Sequence, residues 1–495
     1  MSELLSAAWA SPLLFAAETA SENSDSPHVV PLLILLAAGI GLLLILILGF
    51  KLQAFLSLIL VSVVVAACSR LINEDAVPLT QVADTIVSSM GGALGFIATI
   101  IGIGAIFGAI LEHSGGTQAL ANSLVRIFGV QRAPWAMLLT GFIISIPVFL
   151  DVALVILAPL LIALARDTKK PFLIYGLPLV AGLGVTHAFV PPTPGPVAVA
   201  YILGVNLGWV ILYGVMVGLP TAILCGPPLC SWLSKNVELP ALEAAPVEED
   251  LDQLPSFGFI LGLIALPIGL ILANTLTEQW VASGLPEGLT RDERGVALKD
   301  ALVTASFPVQ AITFLGHPVI ALLLSTLAAL YFLGTRRGVD RGTLLEVATK
   351  ALGPAGIIIL ITGAGGVFKG VLKETGITSA LESAFSESGI PVLLLAWVFA
   401  TLVRIAQGSA TVAMITAAGL MIGFSDPLNQ PQLALVTIAI AAGATGFSHV
   451  NDSGFWMISR YFQMTEAQTL RTWTVISTMI SLIGITIAMV IWQFV

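Results

Sequence analysis

Cysteine, histidine and charge are all scarce in this 495-residue chain, which has three cysteines, five histidines and 10% charged residues. Three cysteines at 68, 225 and 230 make no disulfide framework and no spacing that would hold a metal, so they read as packing residues. With 20 basic residues against 29 acidic ones, the chain has no basic surface for nucleic acid. Its acids gather in tails and loops, as at Glu248, Glu249, Asp250 and Asp252, where they serve solvation. No Ser/His or paired-Asp signature stands apart from the repeated elements described below, so neither an enzyme nor a cofactor or metal site is expected. No Lys or Arg precedes the short apolar run Leu13 to Ala17, as a secretory signal would require, so residues 1–28 read as a retained acidic tail outside the membrane.

Apolar length is what the chain has in abundance. Hydrophobic residues make up 57% of it and the mean hydropathy is +1.00, too much for a water-soluble core to hide. Segments of about 20 apolar residues, enough to cross about 30 Å of hydrocarbon, recur from Val30 to Val495. The reading is an all-α, multi-pass protein of the cytoplasmic membrane, surrounded by lipid, with ten crossings and two shorter inserts.

The chain is also written twice. Gly102 to Leu120 returns as Gly363 to Leu381, with eight of nineteen positions identical. Lys51 marks a cytoplasmic turn and Asn73, Glu74, Asp75 and Asp84 an outer loop, which puts the N-terminus outside. Arg126 and Arg132 are then inside, as are Arg166, Lys169 and Lys170, so Pro134 to Ala165 between them must enter and return. Its interruption at Ser145 to Asp151 leaves two arms of about 11 and 14 residues, each short of a span. In the second half Arg336, Arg337, Arg341 and Lys350 precede the repeat where the first half has acids, so the orientation is inverted. The second broken segment, Pro391 to Met421, is flanked by Glu382, Glu387 and Asp426 and re-enters from outside. Each half therefore has five crossings and one hairpin, over 29–233 and 256–495, joined by a cytoplasmic linker at 234–255.

Chemistry is expected where helices are interrupted, because backbone freed at membrane depth survives only against a protein cavity. Two such elements follow the hairpins: Gly184 to Pro196, with His187 and four prolines, and Gly446 to Gly454, with His449. Arg404 offers a planar fork for a carboxylate, and Gln407, Gly408, Ser409 and Thr411 offer donors and close backbone approach. Thr186, His187, Thr193, His449 and Asn451 complete the candidate substrate-binding set. Asp151, Asp452, His187 and His449 are the candidate proton carriers, since a lone intramembrane carboxylate must be protonatable or paired.

Four motifs together resemble the gluconate permease family of proton symporters: Phe149-Leu-Asp-Val152, Thr186 to Pro196, Arg404 to Ala413, and Phe447 to Trp456. The resemblance runs from about Pro31 to the C-terminus. It implies membership of the wider ion transporter superfamily, with inverted repeats, hairpins meeting at a central site and an elevator-type homodimer. The implied activity is uptake of gluconate or a related small hydroxylated carboxylate with protons. D-serine, glycerate-like acids and a sodium-coupled carboxylate carrier stand as alternatives, because freed carbonyls and Asn451 suit Na+ as well. Family members commonly carry histidine where this chain has Thr193, and glutamate where it has Asp151, which leaves substrate and stoichiometry open.

Overall fold

The computed structural model describes residues 28–74, 76–235, 237, 254–286, 288–289, 291–380, 390–424 and 428–495. The tail expected at 1–28 and the linker expected at 234–255 fall almost wholly outside these residues. Among the described residues every regular element is helical, in keeping with a polytopic membrane protein. Eight helices are long and apolar enough to cross a bilayer: Val29–Ile47, Leu79–His113, Leu173–Leu203, Leu207–Ser234, Phe257–Ala282, Pro318–Arg337, Arg341–Glu374 and Glu466–Trp492. Ten were expected. One of the other two, Ala54–Ser69, has only 16 residues, and the other is divided into Gln430–Thr445 and Ser453–Tyr461 by the break that holds His449.

The elements that frame the site are numbered here in chain order. Val29–Leu44 (α1) and Ala54–Ser69 (α2) lead into the long α3, Val82–His113, and the amphipathic α4, Gly116–Phe128. The segment expected as the first hairpin comprises α5 (Ala133–Ile144) and α6 (Leu150–Thr168), whose arms do not lie along each other as the expected hairpin would, and the first broken helix α7 (Leu173–Phe189) and α8 (Pro194–Leu203). There follow α9 (Leu207–Cys225), α10 (Pro227–Ser234), α11 (Phe257–Ala282), α12 (Arg291–Val303), α13 (Phe307–Gly316) and α14 (Pro318–Ala329). The repeat of α3 is α15, Arg341–Glu374. The second hairpin is α16 (Val392–Gln407) and α17 (Ala410–Leu420), the second broken helix α18 (Gln430–Thr445) and α19 (Ser453–Tyr461), and the chain ends with α20 (Glu466–Arg471) and α21 (Trp473–Trp492). At 19 residues α6 is longer than the arm of about 14 expected, because the helix already begins at Leu150 and runs past Ala165 to Thr168.

Local chemistry explains the boundaries. Pro191 and Pro192 supply no N–H after Phe189, while Pro194 and Pro196 open α8 in its first turn, where a missing donor costs nothing. Gly408 stops α16 at φ +76°, and Ser409 caps α17. Asp340 caps α15 from outside the span; hydrogen bonds from the Thr343 hydroxyl and from the amides of Thr343 and Gly342 hold its carboxyl below the usual carboxylate range.

Packing follows the repeat. The two copies of the repeated helix, α3 and α15, lie against each other. A methyl group at Gly366 would sit 2.4 Å from Ala93 Cβ, and one at Gly370 2.0 Å from Ser89 Oγ, so bare backbone makes this contact possible. In the first half α5 packs on α7 and α7 on α9; in the second α16 packs on α18 and α18 on α21. The α5/α7 contact is the tightest kind: Cβ atoms at Gly141 and Gly182 would lie 2.3 Å and 2.2 Å from the carbonyl oxygens of Leu179 and Leu138. At Gly443 the corresponding clash is with the Trp397 carbonyl, at 2.3 Å.

The turn between α8 and α9 is fastened from three sides. Lys369 of α15 donates to the Ile202 carbonyl and lies 5.6 Å from the Tyr201 ring centre. Glu278 of α11 accepts from Asn206 Nδ2 at 2.5 Å and Asn274 Nδ2 at 3.1 Å, and Gln430 of α18 bridges Asn206 N and the Gly204 carbonyl at 2.7 and 3.0 Å. These bonds satisfy backbone that a helix end would otherwise leave open.

Replacing Gly141 or Gly182 with leucine drives a side chain into a backbone carbonyl. Each variant is expected to lose about 3 kcal/mol or more, the upper end of overpacking costs. Gly95, whose Cβ would meet nothing within 4 Å, should tolerate alanine with a change below about 1 kcal/mol. Thermal unfolding in detergent, read by size-exclusion, checks both.

Candidate functional site

The second hairpin tip and the second break are bolted together by one ion pair. Arg404, in the last turn of α16, is 4% exposed, and its Nη2 lies 2.5 Å from Asp452 Oδ2 at the start of α19. Its remaining donors reach the Gly408 carbonyl through Nη1 and the Gly446 carbonyl through Nε at 3.4 Å. A guanidinium this deep needs a counter-charge and carbonyl acceptors, and the two breaks supply them. Asp452 is itself satisfied by the Ser448 hydroxyl and by the Gly454 amide at 3.0 Å. Ser448 in turn accepts from Trp473 Nε1 at 2.8 Å, and its carbonyl accepts from the Thr474 hydroxyl at 2.5 Å. The network therefore ties α16, the break and α21 into one unit.

Close backbone approach completes the join. A Cβ at Gly408 would stand 2.1 Å from the Asn451 carbonyl oxygen, so only glycine fits between tip and break. Asn451 returns the contact through Nδ2, which donates to the Ile405 carbonyl at 2.8 Å. His449 is half-buried and its Nδ1 accepts from the Asn451 amide at 3.4 Å. Ser409 spends its hydroxyl oxygen on the Val412 amide at 3.4 Å, and Thr411 sits half-buried in the first turn of α17.

Gln407 stands apart from this satisfied network. Both polar atoms of its amide are buried without a protein partner at the tip of the second hairpin. An unpaired buried amide costs about 1–3 kcal/mol, which sets Gln407 apart from its satisfied neighbours.

The first half places its candidates around a smaller space. A cavity of about 20 Å³, room for roughly one water, lies between the first hairpin tip (Ser145 to Phe149), the first break (Pro192 to Pro194) and the glycine-rich face of α3 at Gly104. Thr193 borders it, with its hydroxyl donating to the Val190 carbonyl at 2.8 Å. The buried Ser145 hydroxyl lines the same cavity without a protein partner. Thr186 is fully buried and donates to the Phe142 carbonyl at 2.8 Å, which joins the broken helix to the hairpin arm. His187 is half-buried in the last turn of α7. The backbone of Asp151 lies in the first turn of α6; its side chain falls outside what the structure describes.

Of the sequence candidates, Arg404, Gln407, Gly408, Ser409, Asn451 and Asp452 meet at one place, with His449 and Thr411 at its edge. Thr193 stands at the first-half cavity, and Thr186 secures the hairpin there. Sequence reasoning missed Ser448, Trp473 and Ser145. Ser448 and Ser145 sit inside the two interrupted motifs, so hydroxyls at breaks were a usable signal; nothing local marks Trp473, 25 residues from its partner.

A satisfied intramembrane ion pair beside unpaired donors, set among broken helices, defines a polytopic carrier of a polar solute. Two solved transporters share the fold: YdaH of Alcanivorax borkumensis (TM-score 0.59, 14% identity, 89% of this chain and 98% of that one) and MtrF of Neisseria gonorrhoeae (0.58, 14%, 89% and 94%). The family described as GntP family permease matches residues 30–495, and this chain belongs to it. It is 36% identical over 471 residues to the low-affinity gluconate transporter of Escherichia coli K12, covering 93% of this chain and 98% of that protein. It is 36% identical over 463 residues to the gluconate permease of Bacillus subtilis (92% and 97%), and 34% over 460 residues to the Gnt-II system L-idonate transporter of E. coli K12 (92% and 97%). The chain is thus a multi-pass inner-membrane permease.

Removing one member of the buried pair leaves an uncompensated charge. Arg404→Met and Asp452→Leu should each cost about 3–5 kcal/mol. The double variant should lose less than the sum, by more than about 1 kcal/mol, because it buries no lone charge. A thermal-unfolding double-mutant cycle reads this coupling directly.

Proposed function

We propose that this protein imports gluconate or a closely related small hydroxylated carboxylate together with a proton. The observation that carries this reading is the Arg404–Asp452 pair between hairpin and break, beside the unpartnered Gln407 amide. The gluconate and L-idonate transporters among its relatives support a sugar acid as the substrate.

In the proposed cycle a proton neutralises Asp452, and the substrate carboxylate takes its place against Arg404. Charge at the buried site sums to zero before and after: guanidinium with carboxylate when empty, guanidinium with substrate and a neutral acid when loaded. Neither state leaves a lone charge at membrane depth, which is the condition for moving the site across a low-dielectric layer. Gln407, Ser409 and Thr411 would bind substrate hydroxyls from the second tip, with Thr193 and His187 from the first half and His449 and Asn451 from the second break. Asp151, at the first tip, is the second candidate proton carrier.

The movement proposed is that of an elevator, with two inverted repeats in each subunit of a homodimer. The paired contacts α5/α7 with α16/α18, and α7/α9 with α18/α21, support the two-fold relation; the reversed distribution of basic residues supports the inversion.

In proteoliposomes with an acidic exterior the protein should accumulate labelled gluconate, and a protonophore should abolish accumulation. One proton per monovalent anion moves no net charge, so a potassium diffusion potential alone should drive none. Accumulation driven by a sodium gradient at equal pH would overturn the proton assignment. A thermal-shift comparison of gluconate, idonate, glycerate and D-serine ranks the substrates.

Asp452→Asn should lose gradient-driven accumulation by at least about 100-fold, on the order of the 2–3 kcal/mol expected when a charge-assisted contact is removed. Asp151→Asn tested alongside it decides between the two acids. Loss confined to the Asp151 variant would move the proton site to the first hairpin.

A further inference from the structure

The C-terminal end of α11 carries a carboxylate that the Arg404–Asp452 network does not use. Glu278 is the only titratable residue of that helix, and it lies half-buried, its two oxygens accepting from Asn206 Nδ2 at 2.5 Å and Asn274 Nδ2 at 3.1 Å. No cation among the described residues stands within ion-pair distance of it. A carboxylate in a membrane span that is compensated by amides alone is costly while ionised, and a proton removes that charge.

The two amides around Glu278 are held differently. Asn206 has a fixed orientation: its Oδ1 accepts from the Gly208 amide at 2.8 Å and from the Thr275 hydroxyl at 2.7 Å, so its Nδ2 faces Glu278 as a donor. Asn274 is 4% exposed, and its Oδ1 is buried without a protein partner. A half-turn of that carboxamide exchanges donor for acceptor beside Glu278 and gives a protonated Oε1 an oxygen to bond. One fixed donor and one reversible neighbour therefore accommodate the carboxyl in both charge states.

These bonds cross a boundary between groups of helices. α11 packs mainly on α4, α9, α12, α13 and α14, whereas α9 also packs on α7, α18 and α21, which belong to the site. A Cβ at Gly208 would lie 1.9 Å from Thr275 Oγ1, so the first turn of α9 rests directly on α11. Ionised, Glu278 holds Asn206 by a charge-assisted bond; protonated, it keeps a neutral one of about half the strength. The other titratable groups on the surrounding elements are engaged elsewhere or exposed. Lys369 bonds the Ile202 carbonyl beside the Tyr201 ring, Tyr213 stacks on Trp209, and His317 meets Phe96 edge-on. Arg126 of α4 and Glu293, Arg294, Lys299 and Asp300 of α12 are exposed, and α18 carries none. The basic residues that put Lys169 and Lys170 inside put the far end of the first broken helix, and Glu278 with it, on the outer side.

We infer that Glu278 is a proton-binding site at the outer face, and that its proton loosens the hold of α11 on the α8–α9 turn so that the loaded site can move. This inference rests on the transport reading above and adds a proton that permits movement to the one that accompanies the substrate. Exchange of labelled gluconate in proteoliposomes, at equal pH on both sides and subsaturating substrate, tests it. Where both acids are mostly ionised, the rate should fall about a hundredfold per pH unit in the unmodified protein and about tenfold in Glu278→Gln, whose neutral amide stands in for the protonated acid. Asn206→Ala, which releases the same contact from the other side, should also show the tenfold slope, and it serves should Glu278→Gln fail to fold. Thr277→Ala, whose hydroxyl bonds the Ala273 carbonyl within α11, should keep the hundredfold slope. Equal slopes in the unmodified protein, Glu278→Gln and Asn206→Ala overturn the inference and leave the transport reading standing, as does a folded Glu278→Gln that exchanges no gluconate. Absence of gluconate exchange by the unmodified protein overturns both.

Discussion

A guanidinium and a carboxylate carried into an apolar bilayer must each be compensated, and here Arg404 and Asp452 compensate each other across the junction of a hairpin tip and a broken helix. Much of the local architecture serves that junction. Gly408 lets the tip reach the Asn451 backbone, Ser448, held by Trp473 of α21, donates to the carboxylate, and the Gly446 carbonyl accepts from Arg404 Nε. The pair joins segments 48 residues apart, so the second hairpin has one seat on the second broken helix. It also gives the proposed coupling a physical basis: an arginine with a partner can release it only to another negative charge.

The glycines act on a second scale, that of whole helices. Lipid gives no hydrophobic drive for helix association, so close approach and dispersion contacts must supply it. Gly366 and Gly370 bring the two repeated helices together, and Gly141 and Gly182 press a hairpin arm onto the first broken helix. The contacts of Gly141 with the Leu179 carbonyl and of Gly182 with the Leu138 carbonyl leave no room for adjustment, whereas glycines such as Gly95 face open space and carry no such constraint.

The halves repeat in pairing but not in detail. The second break is closed by charge, hydroxyls and indole, while the first is bordered by a water-sized cavity and prolines. The second hairpin is enclosed and the first less so. Such inequality suits the elevator movement proposed above, since a perfectly symmetric conformation would open to both sides or to neither.

By itself the sequence determined the class of the protein and the location of its interruptions, because apolar length and the missing donors of proline act through neighbouring residues alone. The interruptions observed at 145–149, 190–193, 408–409 and 446–452 fall inside the segments expected at 145–151, 184–196, 404–409 and 446–454, narrower than expected because helix runs on through Phe189 and Gln407. Most of the residues that meet around Arg404 were legible too. What only the tertiary structure decided was who partners whom. Arg404 and Asp452 could be named as separate candidates, but not as each other's counter-charge, and Thr186 carried no sign that its hydroxyl is committed to Phe142. Trp473 was invisible, since its partner Ser448 lies 25 residues away. Side-chain partnership in a membrane depends on which buried groups remain unsatisfied once the helices have packed, and that sum is taken over the whole fold.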